Sequence, residues 1–161
     1  MKNRRIVVVA IMLAAVLCLG VGYAAVTDSI DATGTITYNQ DLVLEWTGDV
    51  NGTDVTTETT DGDTLEFTVD TSAWTKGDVH TFTVEVTNTS TKYNATGVAV
   101  SAVTNNASSN YDVTATIDSD TINATSTATV TITIKVTSYP TTEDYTNTFS
   151  FSVSNTGVTS A

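Results

Sequence analysis

The chain has 161 residues, 40% hydrophobic and 7% aromatic, with six basic against 18 acidic side chains and a formal charge of −12. That length suits one domain with a sizeable core, and about one residue in five is Thr, which with Val and Ile disfavours helix and fits a pleated surface. A surface this negative repels phosphate backbones and anionic headgroups, which argues against nucleic acid and peripheral membrane surfaces as partners.

Lys2, Arg4 and Arg5 precede an apolar run over residues 6–21, and small residues follow through Gly20, Gly22, Ala24 and Ala25. Basic, apolar, then small is the order of a secretory signal, so residues 1–24 are expected to form a signal helix. Gly22 and Ala24 occupy the two positions where a signal peptidase needs small side chains, and they predict a cut before Ala25. The mature chain, 25–161, would keep Lys76, Lys92 and Lys135 against 18 acids, a net charge of −15. Counted from Ile6 to Val26 the stretch is about 20 residues, long enough to cross a bilayer if uncleaved; the small-residue site favours removal, with membrane contact only through the signal beforehand. Cys18, the sole cysteine, lies inside the apolar run with Leu17 rather than a small residue before it. It therefore does not read as a lipidation site, and the mature domain has no disulfide, thiol nucleophile or thiolate metal site.

The stretch Gly20-Val21-Gly22-Tyr23-Ala24-Ala25-Val26-Thr27-Asp28 resembles the signal-peptide end of the TasA/camelysin family of secreted biofilm-matrix proteins. Two further pieces are similar to that family: Lys76-Gly77-Asp78 leading into a strand that runs from His80 to Asn88, and the Phe-rich closing strand from Thr146 to Ser154. The resemblance implies export, removal of the signal by a dedicated SipW-type peptidase, and a place in an extracellular matrix.

Strand signals follow along the chain. Ile30-Ala32-Gly34-Ile36-Tyr38 and Leu42-Leu44-Trp46 alternate with polar residues, as do Leu65-Phe67-Val69, Phe82-Val84-Val86 and Val98-Val100-Ala102. Tyr111-Val113-Ala115-Ile117, Val130-Ile132-Ile134-Val136 and Phe149-Phe151-Val153 complete the set. Such alternation marks half-buried strands. Asn51-Gly52, Asp61-Gly62, Lys76-Gly77-Asp78, Asn105-Asn106, Asp118-Ser119-Asp120 and Tyr139-Pro140 punctuate them as turns, and residues 49–63 are the least patterned. Eight or nine strands, each with one apolar face, must bury those faces against a second sheet. The expected fold is all-β, a single antiparallel β-sandwich of jelly-roll or immunoglobulin-like topology.

Catalytic signals are sparse. His80 is the only histidine and reads as a strand-end residue, and no nucleophile elbow, P-loop, dinucleotide fingerprint or His-Glu-x-x-His helix is present. Camelysin is associated with metalloprotease activity, but the ligands for that chemistry are missing. No cofactor is expected, and the chain reads as a non-enzyme. Acid pairs at Asp61/Asp63, Asp118/Asp120 and Glu143/Asp144 offer oxygen ligands of the kind Ca²⁺ takes, Asp118 and Asp120 being the weak candidates against an ordinary role as turn acids. Asn-x-Ser/Thr sequons at Asn51, Asn88, Asn94, Asn106 and Asn123 are unsurprising in so Thr-rich a chain. Lys135 falls on the polar side of its strand, which disfavours an isopeptide cross-link. Trp46 shares parity with Leu44 and reads as core, whereas Trp74 lies outside any alternation and is the better exposed aromatic.

Two functions remain in view. The first is a secreted structural subunit that self-associates into filaments by donating an N-terminal strand, with Val26, Ile30, Ala32, Ile36 and Tyr38 on one face of the donor. The same segment could equally be the first strand of its own sandwich, because alternation does not distinguish the two. The second is a monomeric surface adhesin or carbohydrate-binding module.

Overall fold

The computed structural model describes residues 29–37, 43–106, 110–138 and 146–161. The expected signal helix with its cleavage residues Gly22, Ala24 and Ala25, together with Val26, Tyr38, Leu42, Tyr139-Pro140 and Glu143/Asp144, lies outside the described residues.

The described chain is all strand and turn. It begins with β1 (Ser29–Thr37), β2 (Leu44–Asn51), β3 (Val55–Asp61), β4 (Thr64–Asp70) and β5 (Val79–Asn88). The short β6 (Tyr93–Thr96), β7 (Ala99–Val100) and β8 (Thr104–Asn105) follow, then β9 (Tyr111–Ile117) and β10 (Thr121–Ile122). The long β11 (Thr127–Val136) and β12 (Thr146–Ser154) precede a short β13 (Gly157–Ser160).

These strands form two main sheets. One has the order β3-β4-β1-β12-β7, with β8 also on β12; the other has the order β2-β5-β11-β9. Strand β11 shows why the sequence folds this way: Ala128, Val130, Ile132, Ile134 and Val136 are buried, while the Thr residues between them stay partly exposed. The inner faces pack ring on ring. Trp46 of β2 meets Phe151 of β12 edge-on at 6.0 Å, and Phe67 of β4 meets Phe82 of β5 at 5.9 Å. Burying each such side chain is worth about 1.5–3 kcal/mol, so the interleaved faces supply the cohesion that disulfides would give a cysteine-bearing domain. A third sheet, β10-β6-β13, closes one end over the buried Ala95 and Ile122.

Among the described strands the pairing is antiparallel with one exception: β1 runs parallel to β12, in register from Ser29↔Thr146 to Thr37↔Ser154, and antiparallel to β4 on its other side. The first described strand and the last long one therefore lie side by side in the middle of a sheet.

Residues 49–63, unpatterned in sequence, hold the end of β2, all of β3 and a hairpin turn. Strand β3 is a sheet edge with no buried residue, so neither face imposes alternation. Its turn to β4 has two residues, the first being Gly62 at φ 57°, a conformation glycine enters without steric cost. Glu58 of β3 reaches across to the other sheet, where its carboxylate accepts a hydrogen bond of 2.8 Å from Val50 N–H in the bulged part of β2 that follows Gly48. The segment Val98-Val100-Ala102 is less regular than its alternation suggests, forming only the two-residue β7 before β8.

Candidate assembly strand and its slot

Strand β1 is the expected donor segment, and here it occupies its own sheet. Ile30, Ala32 and Ile36 are each nearly inaccessible and point into the core together with Gly34, while Asp31, Thr33, Thr35 and Thr37 face outward. Ladder bonds to β4 and β12 hold it on both edges, extended by Ile36 N–H donating to Asp63 C=O at 2.8 Å. On the outer face the Thr68 hydroxyl donates to the Asp31 carboxylate at 2.7 Å.

The inward row is graded in size, and its neighbours compensate. Ala32 lies in register between Phe67 of β4 and Phe149 of β12. Those strands stand two spacings apart, about 9.6 Å, yet the two rings meet edge-on at 6.1 Å, so they lean together across Ala32. Gly34 lies between Leu65 and Phe151. A Cβ at this position would come within 2.9 Å of Trp46 Cζ2 and 3.1 Å of Phe151 Cζ. What reads as a gap in the apolar row is thus a notch filled from the opposite sheet.

The other sequence candidates serve local structure. Trp74, expected exposed, is buried: its indole stacks on the His80 ring at 3.7 Å and 6° and donates from Nε1 to Asp54 at 2.9 Å. A loop residue has no periodicity to reveal that it turns inward. Trp46 is core, as expected. His80 is half-buried at the start of β5, and its Nε2 is enclosed without a hydrogen-bond partner.

The Lys76-Gly77-Asp78 turn is built around Asp78, whose carboxylate accepts from Thr75 N–H at 2.7 Å and from the Thr75 hydroxyl at 2.9 Å. These bonds, chiefly the backbone one, lower the Asp78 pKa below the ordinary carboxylate value, and nearby His80 adds a smaller push the same way. Ser72 lowers that of Asp70 similarly. Of the weak Ca²⁺ candidates, Asp118 accepts from Thr129 N–H at 2.9 Å and Asp120 from the Thr121 hydroxyl at 3.2 Å. Among the described residues no three His, Cys, Asp or Glu side chains converge as a metal site would require. Lys135 is exposed on the outer face.

Asn88 is fully buried. Its Nδ2 donates to Tyr93 C=O at 2.8 Å and Ile122 C=O at 3.0 Å, and its Oδ1 accepts from Ser90 N–H at 3.1 Å. It ties the end of β5 to the end-closing sheet, and a glycan on its Nδ2 would be incompatible with this packing. Sequence reasoning marked it only as a sequon and a strand end; its burial follows the parity of Phe82, Val84 and Val86. Comparison with known proteins returns no matching family and no matching curated relative.

Proposed function

We propose that this chain is an exported structural subunit of an extracellular filament or matrix, without a catalytic centre, that polymerises by passing β1 into a neighbour. The resemblance of the signal end, the Gly-Asp turn and the closing strand to TasA/camelysin proteins supports the matrix setting and removal of the signal before Ala25. The observation that carries the reading is the position of β1: the first strand of the described fold sits at the centre of a sheet, flanked by β4 and β12. No other described strand precedes it, so it can be supplied by a second copy in the same register without rethreading the fold. Main-chain bonds on both edges would give such a donated strand its affinity, and the inward pockets its register. The burial of Trp74 removes the best exposed aromatic for a carbohydrate platform, which weighs against the adhesin reading.

A cross-link decides between own and donated strand. Thr33 of β1 faces Glu66 of β4, and since Ile36 bonds to Asp63, ladder parity makes Thr33–Glu66 a non-hydrogen-bonded pair, with Cα atoms about 4.5 Å apart, close enough for a disulfide. Residues 25–161 carrying Thr33→Cys and Glu66→Cys, oxidised at concentrations where electron microscopy shows filaments, are expected to run as a ladder of covalent multimers on a non-reducing gel. Filaments that contain only internally bridged monomers overturn strand donation.

A further inference from the structure

We propose that the Gly34 notch is the selector of the slot: it fixes the register of the strand between β4 and β12 and restricts the occupant to this same segment, from the chain itself or from another copy. The inclusion of another copy rests on the strand-donation reading above.

The argument is steric. The inward row of β1 runs Ile30, Ala32, Gly34, Ile36, and the two small members lie where rings close over the strand. A one-residue slip turns Asp31, Thr33 and Thr35 into the core. A two-residue slip keeps the correct face inward, so face alone does not forbid it; ring packing does. In one direction it brings Ala32 under Trp46 and Ile30 under the Phe67–Phe149 pair, and in the other it brings Ile36 under Trp46. Even a single methyl there meets Trp46 at 2.9 Å. The indole is itself almost wholly buried and stands edge-on against Phe151, so a ring that moves aside has to displace other core side chains. With its Nε1 making no hydrogen bond, packing alone positions it. A strand that alternates correctly but lacks glycine at this row is therefore rejected, which excludes other apolar-alternating strands that share the acidic, Thr-rich character of this one.

Charge-neutral size exchange across the notch tests this on residues 25–161. Gly34→Val is expected to lower the melting temperature by about 10 °C or more, on the scale of a few degrees per kcal/mol for a domain of this size. Adding Trp46→Leu, which vacates roughly the volume that valine takes, is expected to recover most of that loss. If Trp46→Leu alone folds and the double variant is no better than Gly34→Val, or if Gly34→Val melts with the parent, the selector is overturned. The single variants also form a complementary pair. When the two chains are unfolded and refolded together 1:1, the glycine strand of the Trp46→Leu chain fits the intact slot of the Gly34→Val chain, and the valine strand fits the enlarged slot. Filaments that contain both chains and that Gly34→Val alone does not form support selection between copies. Recovery in the double variant, with a mixture that melts as two independent chains and makes no filaments, keeps the steric selector and overturns strand donation.

Discussion

Replacing Asn88 with Ala tests the reasoning about the end of the sandwich. The change deletes three hydrogen bonds at once, two donated to the carbonyls of Tyr93 and Ile122 and one accepted from Ser90 N–H. Each such bond contributes about 1 kcal/mol net, and leaving buried partners unpaired moves the cost toward the upper end of the range. A loss of about 3 kcal/mol follows, or a fall of about 10 °C in Tm. Urea unfolding followed by circular dichroism should show a lower midpoint with an unchanged slope, because the surface exposed on unfolding is the same. Asn88→Asp should be worse at neutral pH, since a carboxylate would face two carbonyl oxygens. Neighbouring Thr89 is exposed, and its hydroxyl makes one 3.3 Å bond to Val43 C=O; Thr89→Ala should stay within about 0.5 kcal/mol. An Asn88→Ala variant as stable as the parent would refute the claim that this side chain ties β5 to β6 and β10.

Other outcomes can be checked independently. Because the Asp78 carboxylate is held below its ordinary pKa by Thr75, its contribution is present above the ordinary carboxylate range and lost as pH falls through the lowered value; Asp78→Asn should destabilise at pH 7, with the gap to the parent closing as the medium is made more acid, as read by urea midpoints across pH. Trp74→Phe keeps a ring against His80 but removes the bond to Asp54, so it should cost about 1 kcal/mol. The parent's tryptophan fluorescence should resist acrylamide quenching until unfolding, and an easily quenched native component would contradict the burial of Trp74. N-terminal sequencing of exported protein should begin at Ala25; a different start, or a product retaining Met1, rejects the cleavage assignment.

Strands with one wet and one dry face were legible because their residues record the division. β11 alternates over its whole length, and β12 alternates from Asn147 to Val153. Strand β3 was not, since no residue of it is buried and its contribution, the Glu58 carboxylate on Val50 N–H, joins elements whose proximity no local pattern encodes. The sandwich followed from the apolar faces, whereas the parallel pairing of β1 with β12 depends on which distant strand lies beside which. The donor segment was likewise recognisable as an alternating strand, but the meaning of Gly34 resides in Trp46, on the facing sheet. Trp74 was misjudged for a related reason: its partners Asp54 and His80 come from either side of its loop.

The side-by-side placement of β1 and β12 also sets an order of events. Strand β1 pairs with β4 on one edge, but its other edge has no partner until the end of the chain is available. Until then an apolar, alternating strand waits with open backbone groups, and closing so long a loop is slow compared with forming local hairpins. On the strand-donation proposal, that wait would let concentration act as well as shape: a dilute chain would close on itself, whereas crowded chains at the same stage would compete for one another's open positions between β4 and β12. The choice between monomer and series would then be made at the moment of folding, because a folded monomer has to break the ladder bonds on both edges of β1 to release it.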